Sequence, residues 1–155
     1  MKKYSIIILL LALAVTLSAQ DTRIPQEVQN AFAILYPNVS NVKWGKEGSN
    51  EFEAEFSLNG VRTSVVFDKG GEVEETETQI EMIELPETVA PFIVKNYPGY
   101  KITEAEKIVD DKGVVTYEAE ISKGERKNDL LFDKGGYHLE KKVDRDEENG
   151  EEDEN

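Results

Sequence analysis

The sequence predicts an α+β fold in which two copies of one unit, a helix followed by a four-stranded antiparallel meander, pack their helices on one face of the sheet or sheets. The prediction rests on motifs that recur in the same order. The recurring pairs are I-P at 24–25 and L-P at 85–86, Y-P at 36–37 and 97–98, F-E-A-E-F at 52–56 and Y-E-A-E-I at 117–121, and F-D-K-G-G at 67–71 and 132–136. Motifs repeated at a near-constant spacing indicate a duplicated structural unit.

The first residues predict a secretory signal peptide at 1–19. Lys2 and Lys3 are followed by an apolar stretch from Ile6 to Leu17, and small residues allow cleavage after Ala19. This stretch is short for a membrane span, and an uncleaved N-terminal anchor is the alternative. We therefore expect a periplasmic or secreted protein that is not inserted in the membrane after cleavage. The predicted organisation is then a first unit at 20–82, a second unit at 83–143 and a disordered acidic tail at 144–155.

Each unit is expected to begin with a helix. Pro25 suits a first helical turn, and apolar residues at helical spacing follow it until Pro37 ends the run. In the second unit the helix is expected to start at Pro86 and to end at Tyr97. Pro91 then falls near the sixth residue. Because a proline inside a helix removes a backbone hydrogen bond, we expect Pro91 to shorten or kink this helix.

Four short strands are expected after each helix. Apolar and polar residues alternate in them, and Asn59-Gly60 is a strong hairpin signal. The expected strands are 39–46, 51–58, 61–68 and 72–80 in the first unit, and 101–109, 114–122, 127–133 and 137–143 in the second. One apolar face per sheet requires a cover, which one helix per unit can supply. Two separate sheets and one eight-stranded sheet both fit this pattern.

Composition excludes several classes of function. The formal net charge of −14 disfavours nucleic acid and anionic membranes as partners. The absence of cysteine excludes disulfides, cysteine-ligated zinc and thiol nucleophiles. His138 is the only histidine, so a catalytic triad or a histidine metal pair lacks its other members. No cofactor or metal site is predicted, and the chain is predicted not to be an enzyme.

Glutamates at matching places in the two units are the candidate binding residues. Alternation places Glu53 and Glu55 in one unit, and Glu118 and Glu120 in the other, on the sheet face away from the helices. An ordinary solvated face is one interpretation, and recognition of a basic partner is the other. Trp44, the only tryptophan, is a further candidate because tryptophan is enriched at binding hot spots, although core packing also explains it.

The order of these motifs resembles the PepSY-like family, also described as beta-lactamase-inhibitor-like and typical of secreted Bacteroidetes proteins. The resemblance covers about residues 24–143 and rests on the signal peptide, the helices that begin I-P or L-P and end Y-P, the aromatic-E-A-E strands and the F-D-K-G-G turns. It implies a tandem of helix-on-sheet units and a periplasmic or extracellular location. It also implies regulation of a peptidase or inhibition of an enzyme through a concave sheet. The family has no defined functional residues to carry onto this chain.

Two functions are consistent with these features. The first is a secreted, non-enzymatic binding or inhibitory module that holds a basic protein or peptide on the acidic sheet face. The second is an envelope protein that binds or buffers divalent cations with that face and the tail. In the tail, residues 144–150 resemble an EF-hand loop only superficially, because the glycine stands seventh where the loop requires it sixth.

Overall fold

The computed structural model describes residues 23–47 and 49–140. Within this part of the chain, two helices and eight strands form an α+β fold, as predicted. The predicted signal peptide, the acidic tail and residues 141–143 of the second unit lie outside the described residues.

All eight described strands belong to one antiparallel sheet, and each strand pairs with the next one along the chain. β4 pairs with β5, so the two predicted meanders join edge to edge. The strands are β1 Lys43–Glu47, β2 Glu51–Leu58, β3 Val61–Asp68, β4 Val73–Gln79, β5 Lys101–Asp110, β6 Val115–Lys123, β7 Arg126–Asp133 and β8 His138–Leu139. The helices are α1 Gln26–Leu35 and α2 Val89–Asn96, and a short 3-10 helix, Met82–Glu84, precedes α2.

The first strand is shorter than predicted, because it begins at Lys43 rather than at residue 39. The amide of Val39 donates to the carbonyl of Tyr36 at 3.1 Å, which forms a turn after α1. Val39 and Val42 are partly buried against the core around α1. Their spacing of three does not fit strand alternation, and packing of the connecting loop accounts for their apolar character.

The prediction that Pro91 lies near the sixth residue of its helix is wrong, because α2 begins only at Val89. Pro91 is therefore the third helical residue, where a backbone N–H has no acceptor within the helix. The next amide, that of Phe92, donates to the carbonyl of Thr88 at 3.1 Å, so the helical pattern continues directly after the proline. A proline in this first turn gives no reason for a kink.

One face of the sheet, called the inner face here, carries the apolar core. In the first half Val28 and Phe32 of α1 are buried in a cluster with Phe52, Ala54 and Phe56 of β2. The Phe32 and Phe56 rings meet edge to face at 5.1 Å. A second cluster contains α2 and the second-half strands, and its buried members include Val89, Ile93, Ala119, Ile121 and Phe132. The opposite side is called the outer face.

The F-D-K-G-G motifs form matching turns. Asp68 Oδ1 accepts hydrogen bonds from the amides two and four residues later at 2.9 and 2.8 Å. Asp133 Oδ1 makes the equivalent bonds at 2.8 and 2.9 Å. Gly71 and Gly136 have φ values of +87° and +77°, which favour glycine. The structure therefore explains these motifs as hairpin turns.

Candidate functional site

The predicted glutamates lie on the outer face as two separated pairs. Glu53 and Glu55 alternate with Ala54, which is fully buried, and Glu118 and Glu120 flank the fully buried Ala119. β3, β4 and β5 lie between the two pairs. At about 4.8 Å per strand, β2 and β6 are roughly 19 Å apart. The two pairs therefore do not form one compact cluster.

Glutamates of the intervening strands fill this gap. The E-A-E triplet occurs a third time at 104–106 on β5, and β4 carries E-T-E at 75–77. Together these residues form what we call the acidic face: Glu53, Glu55, Glu75, Glu77, Glu104, Glu106, Glu118 and Glu120. Half of this set was missed by the sequence reasoning, although the third E-A-E triplet was a readable signal.

Carboxylates face one another directly across the strands at the centre of the sheet. In the β5–β6 register Glu104 is opposite Glu120, and Glu106 is opposite Glu118. Like charges directly opposite on neighbouring strands are destabilising. Both pairs therefore carry an electrostatic cost in the folded protein.

One cation partly compensates this repulsion. Arg62 of β3 reaches over β4, and its Nη2 lies 2.6 Å from Oε1 of Glu104 and 2.6 Å from Oε1 of Glu106. The side-chain amide of Gln79 also donates to Glu104 Oε1 at 3.1 Å. A depression of about 220 Å³, lined by Arg62, Glu104, Glu106, Glu118, Glu120 and Asp129, opens beside this ion pair.

The two outer parts of the acidic face carry their own cations. Lys43 Nζ lies 3.3 Å from Glu55 Oε2 on the β1 side. On the β7 side Lys127 Nζ lies 2.9 Å from Glu120 Oε2, and Thr103 Oγ1 donates to Glu120 Oε1 at 2.6 Å. The hydrogen bonds from Thr103 and Lys127 lower the pKa of Glu120. These pairs lie on exposed surface and contribute little to stability.

Glu77 is the most perturbed carboxyl of the face. It is half-buried on β4, between the cross-strand neighbours Ser64, which is 7% exposed, and Ile108, which is 8% exposed. Its pKa is raised from 4.5 to about 7, first by burial and then by neighbouring carboxylates. Those carboxylates are Glu106, Glu75, Glu118 and Glu47. At neutral pH this group is therefore only partly ionised.

The pKa values of Glu75 and Glu106 are also raised. Burial is the first cause of the raised pKa in both; Glu47 and Glu51 add to it at Glu75, whereas Arg62 partly opposes it at Glu106. Among the described residues, no lysine, arginine or histidine forms an ion pair with Glu75 or Glu77. The centre of the acidic face thus holds more negative charge than its own cations balance.

Trp44 lies on the other side of the sheet. Its ring meets that of Phe32 edge to face at 5.3 Å and is partly buried against the core around α1. The structure therefore does not bring Trp44 together with Glu53, Glu55, Glu118 or Glu120.

His138 packs as an aromatic residue. Its ring stacks on Phe92 at 4.9 Å with an interplanar angle of 19°, and it meets Phe132 at 5.6 Å. Within residues 23–47 and 49–140, no group of three or more histidine or acidic side chains is arranged to hold a metal ion. Across the same residues, every helix is too short or too polar to cross a membrane.

Comparisons with known proteins find similarity in structure alone. No family model matches the chain, and no curated protein matches it. A DUF2874 family protein from Bacteroides uniformis ATCC 8492 is 24% identical with a TM-score of 0.63, and the match covers 75% of this chain and 86% of that one. A Bacteroides eggerthii DSM 20697 protein with a provisional periplasmic assignment is 20% identical with a TM-score of 0.66, covering 76% and 87%.

A third solved structure also has this fold. The BLIP-like protein from Bacteroides fragilis NCTC 9343 is 25% identical with a TM-score of 0.56, and the match covers 76% of this chain and 84% of that one. All three similarities span most of both chains, so they concern the whole described fold rather than one motif. The chain therefore has the fold of the DUF2874 and BLIP-like proteins of Bacteroides.

Proposed function

We propose that this chain is a secreted, non-enzymatic binding module that holds a basic segment of a protein or peptide partner on its acidic face. The observation that carries the proposal is the crowding of carboxylates at the centre of the face, where Glu104 lies opposite Glu120 and Glu106 lies opposite Glu118. Among the described residues no cation is paired with the half-buried Glu77 on the neighbouring strand, and burial and neighbouring carboxylates raise its pKa to about 7.

In the unbound protein the central glutamates of the acidic face repel one another. Mutual repulsion among the central glutamates raises the free energy of the folded chain when they are ionised. A lysine or arginine of a partner placed between them would remove part of this repulsion and gain charge-assisted hydrogen bonds. Complementary charge also speeds encounter and disfavours acidic partners. Arg62 marks the geometry that such a cation would adopt, since its Nη2 contacts two glutamates at 2.6 Å.

The proposal also includes two PepSY-like units, a periplasmic or secreted location and an effect on an enzyme. Two PepSY-like units at 20–82 and 83–143 would each contribute one helix and four strands, supported by the matching Asp68 and Asp133 turns. A periplasmic or secreted location is supported by the sequence at 1–19 and by the provisional assignment of the Bacteroides eggerthii protein. The similarity to a BLIP-like protein supports inhibition of an enzyme as the consequence of binding, and the PepSY-like resemblance of the sequence supports regulation of a peptidase.

Cation binding is the less supported alternative. No described group of side chains is arranged as a metal site, so binding of Ca²⁺ would have to be diffuse or involve residues outside the described part. Calorimetry with calcium chloride at physiological salt distinguishes the two functions. A saturable micromolar signal would favour the alternative, and its absence leaves the proposal of a basic partner in place.

The direct test is a crosslinking pull-down from a periplasmic extract. One variant changes the two predicted pairs to glutamine, at positions 53, 55, 118 and 120, and a second changes the central set at 75, 77, 104 and 106. A control with the same change of charge replaces four exposed glutamates away from the face, at positions 27, 72, 87 and 125. We expect the wild type and the control to recover the same partner and both face variants to lose it. Equal recovery by all four proteins would refute the proposal.

A further inference from the structure

A cavity of about 380 Å³ lies at one end of the acidic face. It is located where the turn between β2 and β3 approaches the connection from β4 to α2. Val61, Ile80 and Met82 contribute apolar lining, and Glu81, Glu84 and Glu104 contribute carboxylates. The cavity thus combines an apolar surface with an acidic rim.

Two apolar side chains that line this cavity, Val61 and Met82, are exposed, and so is Ile83, the neighbour of Met82 in the chain. Ile83 is 90% exposed and Met82 is 50% exposed, both on the short 3-10 helix, and Val61 at the start of β3 is 40% exposed. Adjacent exposed apolar residues mark an interaction surface more strongly than isolated ones do. We call Val61, Met82 and Ile83 the apolar patch.

The segment that presents this patch is firmly structured. At the start of the 3-10 helix the Glu81 amide donates to Glu84 Oε2 at 2.8 Å. The Glu84 amide donates to the Glu81 carbonyl at 2.8 Å as well. The following residue, Leu85, is buried in the core around α2. Met82 and Ile83 are therefore held outward by a turn that is anchored on both sides, which lowers the entropy cost of using them in an interface.

The apolar patch and the acidic face are continuous. Glu104 lines both the 380 Å³ cavity and the acidic depression beside Arg62. An extended segment lying across β4 and β5 would therefore meet the carboxylates first and the apolar patch at its end. The acidic rim disfavours an anionic lipid surface or an acidic peptide as the occupant.

We infer that the apolar patch binds an aliphatic side chain at one end of the basic segment that the acidic face holds. This inference rests on the proposed function and adds the chemistry of the partner: lysine or arginine residues followed, at one end, by leucine, isoleucine, valine or methionine. The basic residues provide attraction and orientation, and the aliphatic residue provides the buried apolar contact.

Two labelled peptides test the inference with the full folded chain. One is a twelve-residue peptide of alternating lysine and glycine, and the other carries two leucines in place of its last two residues. Fluorescence anisotropy measures the dissociation constant of each. Because burial of one aliphatic side chain strengthens binding about tenfold or more, we expect the leucine peptide to bind at least about tenfold more tightly.

Matched double variants locate the contact. Met82→Ser with Ile83→Ser should abolish the leucine advantage and leave binding of the lysine–glycine peptide unchanged. Ile34→Ser with Val94→Ser, which changes exposed aliphatic residues of the helices, should keep the advantage. The inference would be overturned if both peptides bound the wild type equally, or if the double variant at positions 82 and 83 still bound the leucine peptide more tightly. Either result would leave the proposed function standing. Failure of both peptides to bind would overturn the proposed function and the inference with it.

Discussion

Replacing Glu77 with glutamine should stabilise the protein at high pH. Glutamine has nearly the same shape as the glutamate, but it cannot ionise, so it removes one charge from the crowded centre of the acidic face. The pKa of Glu77 rises from 4.5 to about 7 because of burial first and neighbouring carboxylates second. A difference of this size corresponds to about 3 kcal/mol. Solvent screening at a half-buried position reduces the expected stabilisation to roughly 1–2 kcal/mol.

The effect of this substitution should depend on pH with a defined sign. A carboxyl whose pKa is higher in the folded state binds more protons when folded, so the wild type loses stability as the pH rises from about 4.5 to about 7. Below that window Glu77 is protonated in both states and resembles glutamine. The advantage of Glu77→Gln should therefore be near zero at pH 4 and reach its full value at about pH 8.

Urea unfolding followed by the fluorescence of the single tryptophan provides the assay. Trp44 packs against Phe32 in the core around α1, so its emission reports unfolding of the first half of the sheet and of α1. Glu72→Gln is the control, because Glu72 is an exposed turn residue whose loss changes the net charge equally. The reasoning would be refuted if Glu77→Gln gave no gain at pH 8, a gain no larger than the control, or the same gain at pH 4.

Three further substitutions test the core, the second helix and the turns. Phe32→Ala removes a ring that is 5% exposed, so we expect urea unfolding to show a loss of about 3–5 kcal/mol, with a red shift of Trp44 emission in the native state. Pro91→Ala should change the free energy of unfolding by less than about 1 kcal/mol, since the proline occupies the first turn of α2. Gly136→Ala should lower it by about 2 kcal/mol or more, measured by thermal melting, because φ is +77° and the added Cβ would overlap Thr88.

Each of these substitutions has a matched control. Leu35→Ala, at a helix position that is 52% exposed, should cost less than about 1 kcal/mol. A loss of stability equal to that of Phe32→Ala would contradict the assignment of Phe32 to the core and Leu35 to the surface. Ala33→Pro, in the interior of α1, should cost about 3 kcal/mol or more. A change of similar size in the free energy of unfolding of Pro91→Ala would contradict the placement of Pro91 in the first turn of α2. Gly124 also has positive φ, but a Cβ there meets nothing within 4 Å, so Gly124→Ala should cost about 1 kcal/mol.

Local signals predicted the hairpins well. The predicted bounds 51–58 and 61–68 agree with β2 and β3 because Asn59 and Gly60 both adopt positive φ, at 54° and 88°, and fix the turn between them. Alternation also identified the buried side of β2. The start of α2 was predicted less well, because helical spacing of apolar residues does not show that residues 82–84 form a separate 3-10 helix.

The candidate site was only partly predictable for a physical reason. Alternation assigns a residue to a face of its strand, but it does not say which strands are neighbours in space. The pairing of β4 with β5 brings Glu77 beside Ile108 and close to Glu106 of β5 and Glu118 of β6. The contact of Arg62 with β5 likewise spans more than 40 residues of sequence. Such long-range contacts determine the charge balance of the face and leave no local pattern.

The central claim is that the acidic face binds a cationic segment, and NMR titration of the glutamate side-chain carboxyls tests it most directly. Spectra are recorded from pH 4 to pH 9 for the free protein and for the protein saturated with the lysine–glycine peptide. We predict that Glu77 titrates near 7 when free, and that bound peptide lowers its pKa by about one pH unit or more, with shift changes confined to the outer face of β2 to β6. Shift changes on α1 and α2 instead, or a Glu77 midpoint that does not move under saturating peptide, would contradict the claim.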